Sequence, residues 1–336
     1  MNSQNKARFT MYKVLVVAFV FLLSDFGTAK AQQLSSIPGA FVDIGFGSRP
    51  VSMGNAFVGL ADDINAVYLN PGGLTAIDRY EVEFTHTKLM GLVNYQFFSA
   101  GMPLSDNQSV ALAIISSGDD LMREISMHVG YARELLPGLS AGAGLKFRRS
   151  SFGNNTLNPD DFDGIFDPGE ITRGISNQVY GDGNGFGLDL GLVYRASEEL
   201  RFGVMLRDIY APVYWNSKTR NSESNPKGNY MERIPFEAAI GTSWTAGGRT
   251  IVSLEYKPSF DSEQDDALRL GFERTIVDIL SIRLGTEQWL NNRDDDKYML
   301  GAGLRVPLAD YQVQVNYGYI IDDIANTHRI GLQVNF

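Results

Sequence analysis

The sequence contains no cysteine, only three histidines and three tryptophans, and no apolar run long enough to form a membrane helix. Without cysteine there is neither a disulfide framework nor a thiolate metal site. His86, His128 and His328 fall in separate segments. No nucleophile elbow, zinc-binding helix or phosphate loop accompanies them, so an enzyme is not expected. Basic residues are also scarce, 29 Lys and Arg against 39 Asp and Glu, which makes nucleic acid an unsuitable partner. The missing apolar run excludes a helical span of about 20 residues. It does not exclude a transmembrane barrel, whose strands alternate and average to near-neutral hydropathy.

What the sequence does have leans towards a barrel: 35 Gly, 20 Phe and 15 Tyr in 336 residues. The first 31 residues read as a targeting segment. Lys6, Arg8 and Lys13 precede an apolar core from Val14 to Leu23, and Ala29-Lys30-Ala31 supplies a small-x-small cleavage pattern. An uncleaved anchor helix is the alternative, but the apolar core is short for it. Cleavage near Ala31 removes four basic residues and one acidic residue, leaving 25 against 38 and a formal charge of −13. The expected organisation is a signal peptide over 1–31, a plug segment over 32–80 and a transmembrane barrel over 81–336.

From residue 81 onwards, apolar and small or polar residues alternate in short segments. Ile330, Leu332, Val334 and Phe336 share one face, and Arg329, Gly331, Gln333 and Asn335 the other. Ala141, Ala143, Leu145 and Phe147 likewise oppose Gly142, Gly144, Lys146 and Arg148. A wall between lipid and a polar lumen requires this period of two. Fourteen such segments are counted, an even number, as a single-chain barrel requires. Short connectors such as 196–199 and 246–248 alternate with longer or more polar ones such as 152–182 and 210–232, as periplasmic turns and extracellular loops do. A soluble β-sandwich also alternates, but leaves the pattern ending on Phe336 unexplained. Ile330, Leu332, Val334 and Phe336 resemble the terminal signature read by the barrel-assembly machinery, an expected partner together with outer-membrane lipid.

By parity, the inward face carries Arg201, Arg207, Glu237, Glu255, Arg269, Glu273, Arg283, Glu287 and Arg305. Neighbouring strands bring such residues within about 5 Å of one another. Two readings stand: a structural ion-pair network filling the lumen, or a selective polar path. The same parity turns His128 inward, away from where a barrel lipase would need it. In the longest loop, Asp161, Asp163, Gly164, Asp167 and Glu170 occupy places of an EF-hand-type calcium loop whose first ligand place is Pro159. Calcium held through Asp161, Asp163, Asp167 and Glu170 is the one cofactor this pattern suggests, against a solvated acidic loop.

The segment from Gly45 to Ile77 does not alternate. Ser52 is expected to cap a short helix running to Ala61, and Asn70-Pro71-Gly72-Gly73 to end the segment in a turn. Gly47 and Arg49, then Met53, Gly54 and Ala56, then Ala61, Asp62 and Asp63, then Asn70, Pro71, Gly73 and Leu74 together resemble the N-terminal block of the FadL-like barrel superfamily. The PorV/PorQ branch is the most similar. Gly72 departs from the usual Ala. The resemblance implies a hatch folded into the lumen, with Asp62 and Asp63 as candidates to hold it to inward basic residues. It also implies transport or secretion across the outer membrane. A type IX secretion-associated role, with secreted cargo or secretion subunits as partners, is put first. A FadL-like uptake channel for hydrophobic small molecules is the alternative.

Overall fold

The computed structural model describes residues 44–119, 122–153, 179–219, 228–260, 265–290, 296–308, 310–323 and 325–336. Its elements are two short helices, α1 (Ser48–Ser52) and α2 (Ala66–Leu69), a 3-10 turn (Pro71–Ala76), and sixteen strand segments. The first eight segments are β1 (Glu81–Leu89), β2 (Val93–Ser105), β3 (Gln108–Gly118), β4 (Met122–Leu136), β5 (Leu139–Phe152), β6 (Val179–Arg195), β7 (Leu200–Tyr210) and β8 (Pro212–Thr219). The second eight are β9 (Gly228–Arg233), β10 (Glu237–Ala246), β11 (Thr250–Lys257), β12 (Ala267–Val277), β13 (Leu280–Trp289), β14 (Lys297–Leu308), β15 (Tyr311–Ile321) and β16 (Thr327–Asn335).

Each segment pairs antiparallel with its neighbours, and β1 pairs with β16 from Glu81↔Asn335 to Thr87↔Arg329, so the sheet closes on itself. The sixteen segments form fourteen staves. β7 and β8 are one stave interrupted at Ala211, because β6 pairs with β8 along its upper half and with β7 along its lower half. β9 and β10 are the next stave, interrupted at 234–236, since β9 pairs with β8 and β10 with β7. The result is a closed fourteen-stave antiparallel barrel.

Alternation builds the wall. On β5, Lys146 and Arg148 are buried inside, while Leu145 and Phe147 are about half exposed on the outside. Phe84, Leu284, Leu300 and Leu332 continue the exposed apolar outer face, the surface a lipid-embedded barrel presents. At the hairpin between β10 and β11, Gly247 and Gly248 both have positive φ, which matches the type I′ turn that suits strand twist.

Two expectations from the connectors need correction. The stretch 210–232 is not simply a loop, because Pro212–Thr219 and Gly228–Arg233 extend two staves beyond their neighbours. The alternation of short and long connectors also breaks at its start. The β1–β2 connection lies on the side opposite Tyr80 and Phe336, yet it is a tight turn of Met90, Gly91 and Leu92 closed by Leu92 N–H donating to the Leu89 carbonyl at 2.9 Å.

Candidate functional site

The segment 44–77 lies inside the barrel, and its side chains are almost all buried. It has little helix of its own. Gly47, at the N-cap of α1, has positive φ and supplies no side-chain cap. Pro50 is tolerated because it sits in the first turn. The expected helix from Ser52 to Ala61 does not form. Ser52 is instead the last residue of α1, and its hydroxyl donates back to the Arg49 carbonyl at 2.8 Å. Positive φ at Gly54, Asn55 and Ala61 turns the chain repeatedly, so 53–61 is a string of turns. After α2, the Asn70 side chain accepts from Gly72 N–H at 3.1 Å and caps the 3-10 turn.

Turns such as Met53 N–H to the Pro50 carbonyl and Ala61 N–H to that of Phe57 pair part of this backbone internally, and the groups they leave over must find partners elsewhere, since unpaired buried backbone groups are costly. The barrel wall provides them. The Glu255 carboxylate accepts from Phe57 N–H at 3.0 Å and Val58 N–H at 2.9 Å. Ser253 donates to the Ala56 carbonyl at 2.5 Å, and Ser243 to that of Gly59 at 3.1 Å. Arg201 donates to the Leu60 carbonyl at 3.2 Å. Arg329 donates to the carbonyls of Ile44, Gly45 and Gly47 at 2.9–3.1 Å.

The hatch backbone also approaches the wall where the wall has no side chain. Register places inward glycines in cross-strand pairs: Gly142↔Gly191, Gly203↔Gly241, Gly271↔Gly285 and Gly301↔Gly318. A Cβ on Gly203 would run into Val58 O, one on Gly285 into Gly54 N, and one on Gly142 into Pro71. Gly54 and Gly59 of the hatch are equally hemmed in by wall backbone. The inward glycines therefore form a ring in which the hatch is seated backbone against backbone. Two cavities at this contact, one beside Thr75 and Ser140 and one beside Leu69 and Met205, measure about 10 and 20 Å³. Each has room for about one water.

Arg49 organises the charges of the hatch. It donates to Asp62 at 2.6 Å, Asp63 at 2.7 Å and Glu273 of β12 at 3.0 Å. Burial opposes the Arg49 charge, but Asp62, Glu273 and Asp63 outweigh it and hold the proton more tightly than usual. Burial pushes the Asp63 carboxyl above its ordinary range, although Arg49 draws it back. The main partner of both aspartates is thus the hatch's own arginine. The inward cation nearest to them, Arg201, lies 3.9 Å from Asp62. Met53, Ala56, Ala61 and Leu74 are buried in the hatch core, and Asn70 donates to the carbonyls of Val58 and Leu192.

Eight of the nine expected lumen residues join ion pairs. Arg269 bridges Glu255 at 2.7 Å and Glu287 at 2.6 Å. Arg283 reaches Glu273 at 2.5 Å, and Glu237 receives Arg207 at 3.2 Å and Lys257 at 2.5 Å. Arg201 contacts Asp62, as above. Arg305 is the exception: it is exposed near the short β14–β15 turn and makes no ion pair among the described residues. Ile330 and Leu332 point outward on β16, Val334 is half-buried, and Phe336 stacks on Tyr80. The loop carrying Asp161, Asp163, Asp167 and Glu170 lies outside the described residues, as does the targeting segment.

A second charged cluster was not anticipated. Lys146 contacts Asp189 at 2.9 Å and Asp208 at 3.2 Å, and Arg148 reaches Asp208 at 2.8 Å. Parity places Lys146, Arg148 and Asp189 inward and could have found them. Asp208 would by parity face lipid. A bulge in β7 between the partners of Leu188 and Leu190 inverts the parity, and Asp208 has positive φ there.

The β1 side of the lumen is polar as well as apolar: the Glu81 carboxylate accepts from Ile64 N–H at 2.9 Å and that of Glu83 from the Asn65 amide at 2.8 Å, with Thr85 and Thr87 buried beside them. Phe46 stacks on Tyr68 at 4.9 Å and meets Phe97 edge-on at 5.4 Å, with Tyr95 next to Phe97. Leu89, Val93 and Ile115 pack against the same cluster. Lumen charges are thus not confined to β5–β13, since Glu81 and Glu83 of β1 and Arg329 of β16 also hold the hatch, and the aromatic and aliphatic cluster sits between the hatch and β2–β3.

No protein-family model matches the chain, and no curated protein matches it. Solved structures do. A Pseudomonas aeruginosa FadL homologue superposes with a TM-score of 0.58 at 13% identity, over 86% of this chain and 97% of that one. The Ralstonia pickettii toluene transporter TbuX gives 0.57 at 12%, over 87% and 97%. The monoaromatic hydrocarbon channel CymD gives 0.57 at 14%, over 87% and 97%. The chain therefore has the closed fourteen-stave fold of FadL-type outer-membrane barrels, and nothing in the comparisons singles out the PorV/PorQ branch.

Proposed function

We propose that the protein is an outer-membrane uptake channel for hydrophobic small molecules. The observation that carries this reading is the apolar cluster between the hatch and the β2–β3 wall. A water-filled pore lines its wall with polar side chains, whereas here Tyr95, Phe97 and Ile115 of the wall join Phe46 and Tyr68 of the hatch in one buried cluster. Such a surface binds apolar molecules by removing them from water, at roughly 25 cal/mol per Å² buried. The seated hatch supports the reading too, because it leaves no wide aqueous passage. The structural relatives named above, two of them a toluene transporter and a hydrocarbon channel, add support at the level of fold.

The lumen charges fit as hatch support. Glu255, Glu273 and Arg201 contact the hatch directly, and Arg269 and Arg283 hold those carboxylates in place. This favours a structural network over a selective polar path. The secretion-associated role suggested by the N-terminal block finds no added support in these comparisons. Assembly by the barrel-assembly machinery belongs to the same proposal.

The test is purification of the intact protein from native outer membranes, with mass spectrometry of bound lipids, small molecules and proteins. A bound apolar ligand without stoichiometric protein partners is the expected result. Co-purified secretion subunits or secreted cargo, with no such ligand, would overturn it.

A further inference from the structure

Charges on the outside of the wall are unevenly placed. The chain is acidic, with a formal net charge of −10, yet no outward position of β16 or of β1–β5 holds Asp or Glu. The acidic residues of these staves, Glu81, Glu83, Glu124 and Glu134, stand at inward positions. The outward basic residues are Arg133, near the periplasmic β4–β5 turn, and Lys88, Arg123 and Arg149 at the extracellular end, all exposed.

Arg123 and Arg149 belong together. Register sets Arg123 opposite Ser151 and Arg149 opposite Ile125. The two arginines are therefore diagonal neighbours on one face, about 7–8 Å apart. Asn184 stands opposite Arg149 on its other side. Like charges so placed repel, and neither arginine makes an ion pair among the described residues. The nearest carboxylates do not relieve them. Asp182 lies opposite Ser151 and makes no ion pair with Arg149, and Asp119 accepts from Met122 N–H at 3.2 Å. An anion between the two guanidinium forks would remove the repulsion and be held by charge-assisted bonds. Ser151 and Asn184 add neutral donors beside it.

What lies below identifies the kind of anion. Ile125 and Phe147 are the next outward residues on the same staves, and both are exposed. Met127 and Phe186 continue this apolar face towards the middle of the wall. The arginine pair thus stands where the lipid-facing belt ends, at headgroup level. A soluble anion would meet only an open, solvated pair of cations there. A lipid is held by its headgroup and its chains at once.

We propose that Arg123 and Arg149, with Ser151 and Asn184, bind the phosphate of a phosphorylated lipid headgroup in the outer leaflet, its chains lying along Ile125 and Phe147. This rests on the barrel's place in the outer membrane and is independent of what the lumen transports.

The experiment frees the full chain of native lipid in detergent and reconstitutes it in phosphatidylcholine nanodiscs. The discs contain either diphosphorylated lipid A or the same lipid with its phosphates removed. Retained lipid is counted by native mass spectrometry for the wild type, for Arg123→Gln/Arg149→Gln and for Arg133→Gln. All three positions are exposed, so folding is kept, and heat-modifiable mobility checks it. The wild type is expected to retain the diphosphorylated lipid in preference to the dephosphorylated one. Retention should fall about tenfold in the double variant, as the loss of two cations at a membrane surface demands, and stay unchanged in Arg133→Gln. Equal retention of both lipids by the wild type, or undiminished retention by the double variant, would overturn the proposal. An equal fall in Arg133→Gln would overturn it too, since only net charge would then be felt. Inorganic phosphate bound as tightly as the lipid would overturn it in favour of a soluble anion.

Discussion

Tyr80 and Phe336 exchange both of their backbone hydrogen bonds, at 3.1 and 2.9 Å, and their rings stack with centroids 5.7 Å apart. Tyr311 approaches Phe336 from the other side at 6.0 Å. This group closes the seam between β1 and β16 and fixes its register. Deleting Phe336 removes the two backbone bonds and both ring contacts. The deletion is expected to abolish heat-modifiable folding in outer membranes, whereas Tyr80→Ala, which keeps the backbone pairing, weakens it by about 0.5–1.5 kcal/mol. Normal folded mobility of the deletion variant would contradict the role given to the seam.

The glycine ring predicts a contrast between two small substitutions. Gly203→Ala drives a methyl group into the Val58 carbonyl, whereas a Cβ at Gly144 meets Asp189 at an ordinary 3.5 Å. Gly203→Ala is expected to destabilise the hatch by about 1–3 kcal/mol, as overpacking does, and to expose 44–77 to protease. Gly144→Ala leaves it protected. Limited proteolysis in detergent reads the difference, and equal protection of both variants would mean that the hatch is loosely held.

Arg49 and Arg305 provide a second contrast. Arg49→Met strips the nearest cation from Asp62 and Asp63 and one of two arginines from Glu273. Breaking a buried network costs about 3–5 kcal/mol, so the urea midpoint should fall markedly. Arg305→Met, at an exposed position without an ion pair, should shift stability by no more than about 0.5 kcal/mol. A similar effect of both would show that the lumen charges act only through the overall field.

The barrel is largely legible in the sequence because its wall obeys a local rule. Every second residue faces lipid, and this fixes strand number, parity and most of the inward charges. What was not legible depends on departures from that rule. The β7 bulge turns Asp208 inward against its parity, and no local signal in Arg207-Asp208-Ile209 announces it. The hatch has no period to read. Its path is set by wall groups far away in sequence, such as Glu255 beneath Phe57 and Arg329 beneath Gly45, so the expected helix after Ser52 gave way to turns. The aromatic cluster also depends on how the hatch is seated once the barrel closes, and Phe46 meets Phe97 only then.

The most direct test of the central claim compares two solutes in proteoliposomes containing the intact protein. Radiolabelled toluene and a small sugar such as arabinose are offered side by side, with protein-free liposomes as the baseline. The account predicts protein-dependent transfer of toluene that saturates, and no transfer of the sugar beyond the baseline, because the lumen is plugged and an apolar cluster lines the contact between hatch and wall. Sugar transfer at a rate typical of a porin, or no protein-dependent transfer of toluene, would contradict it.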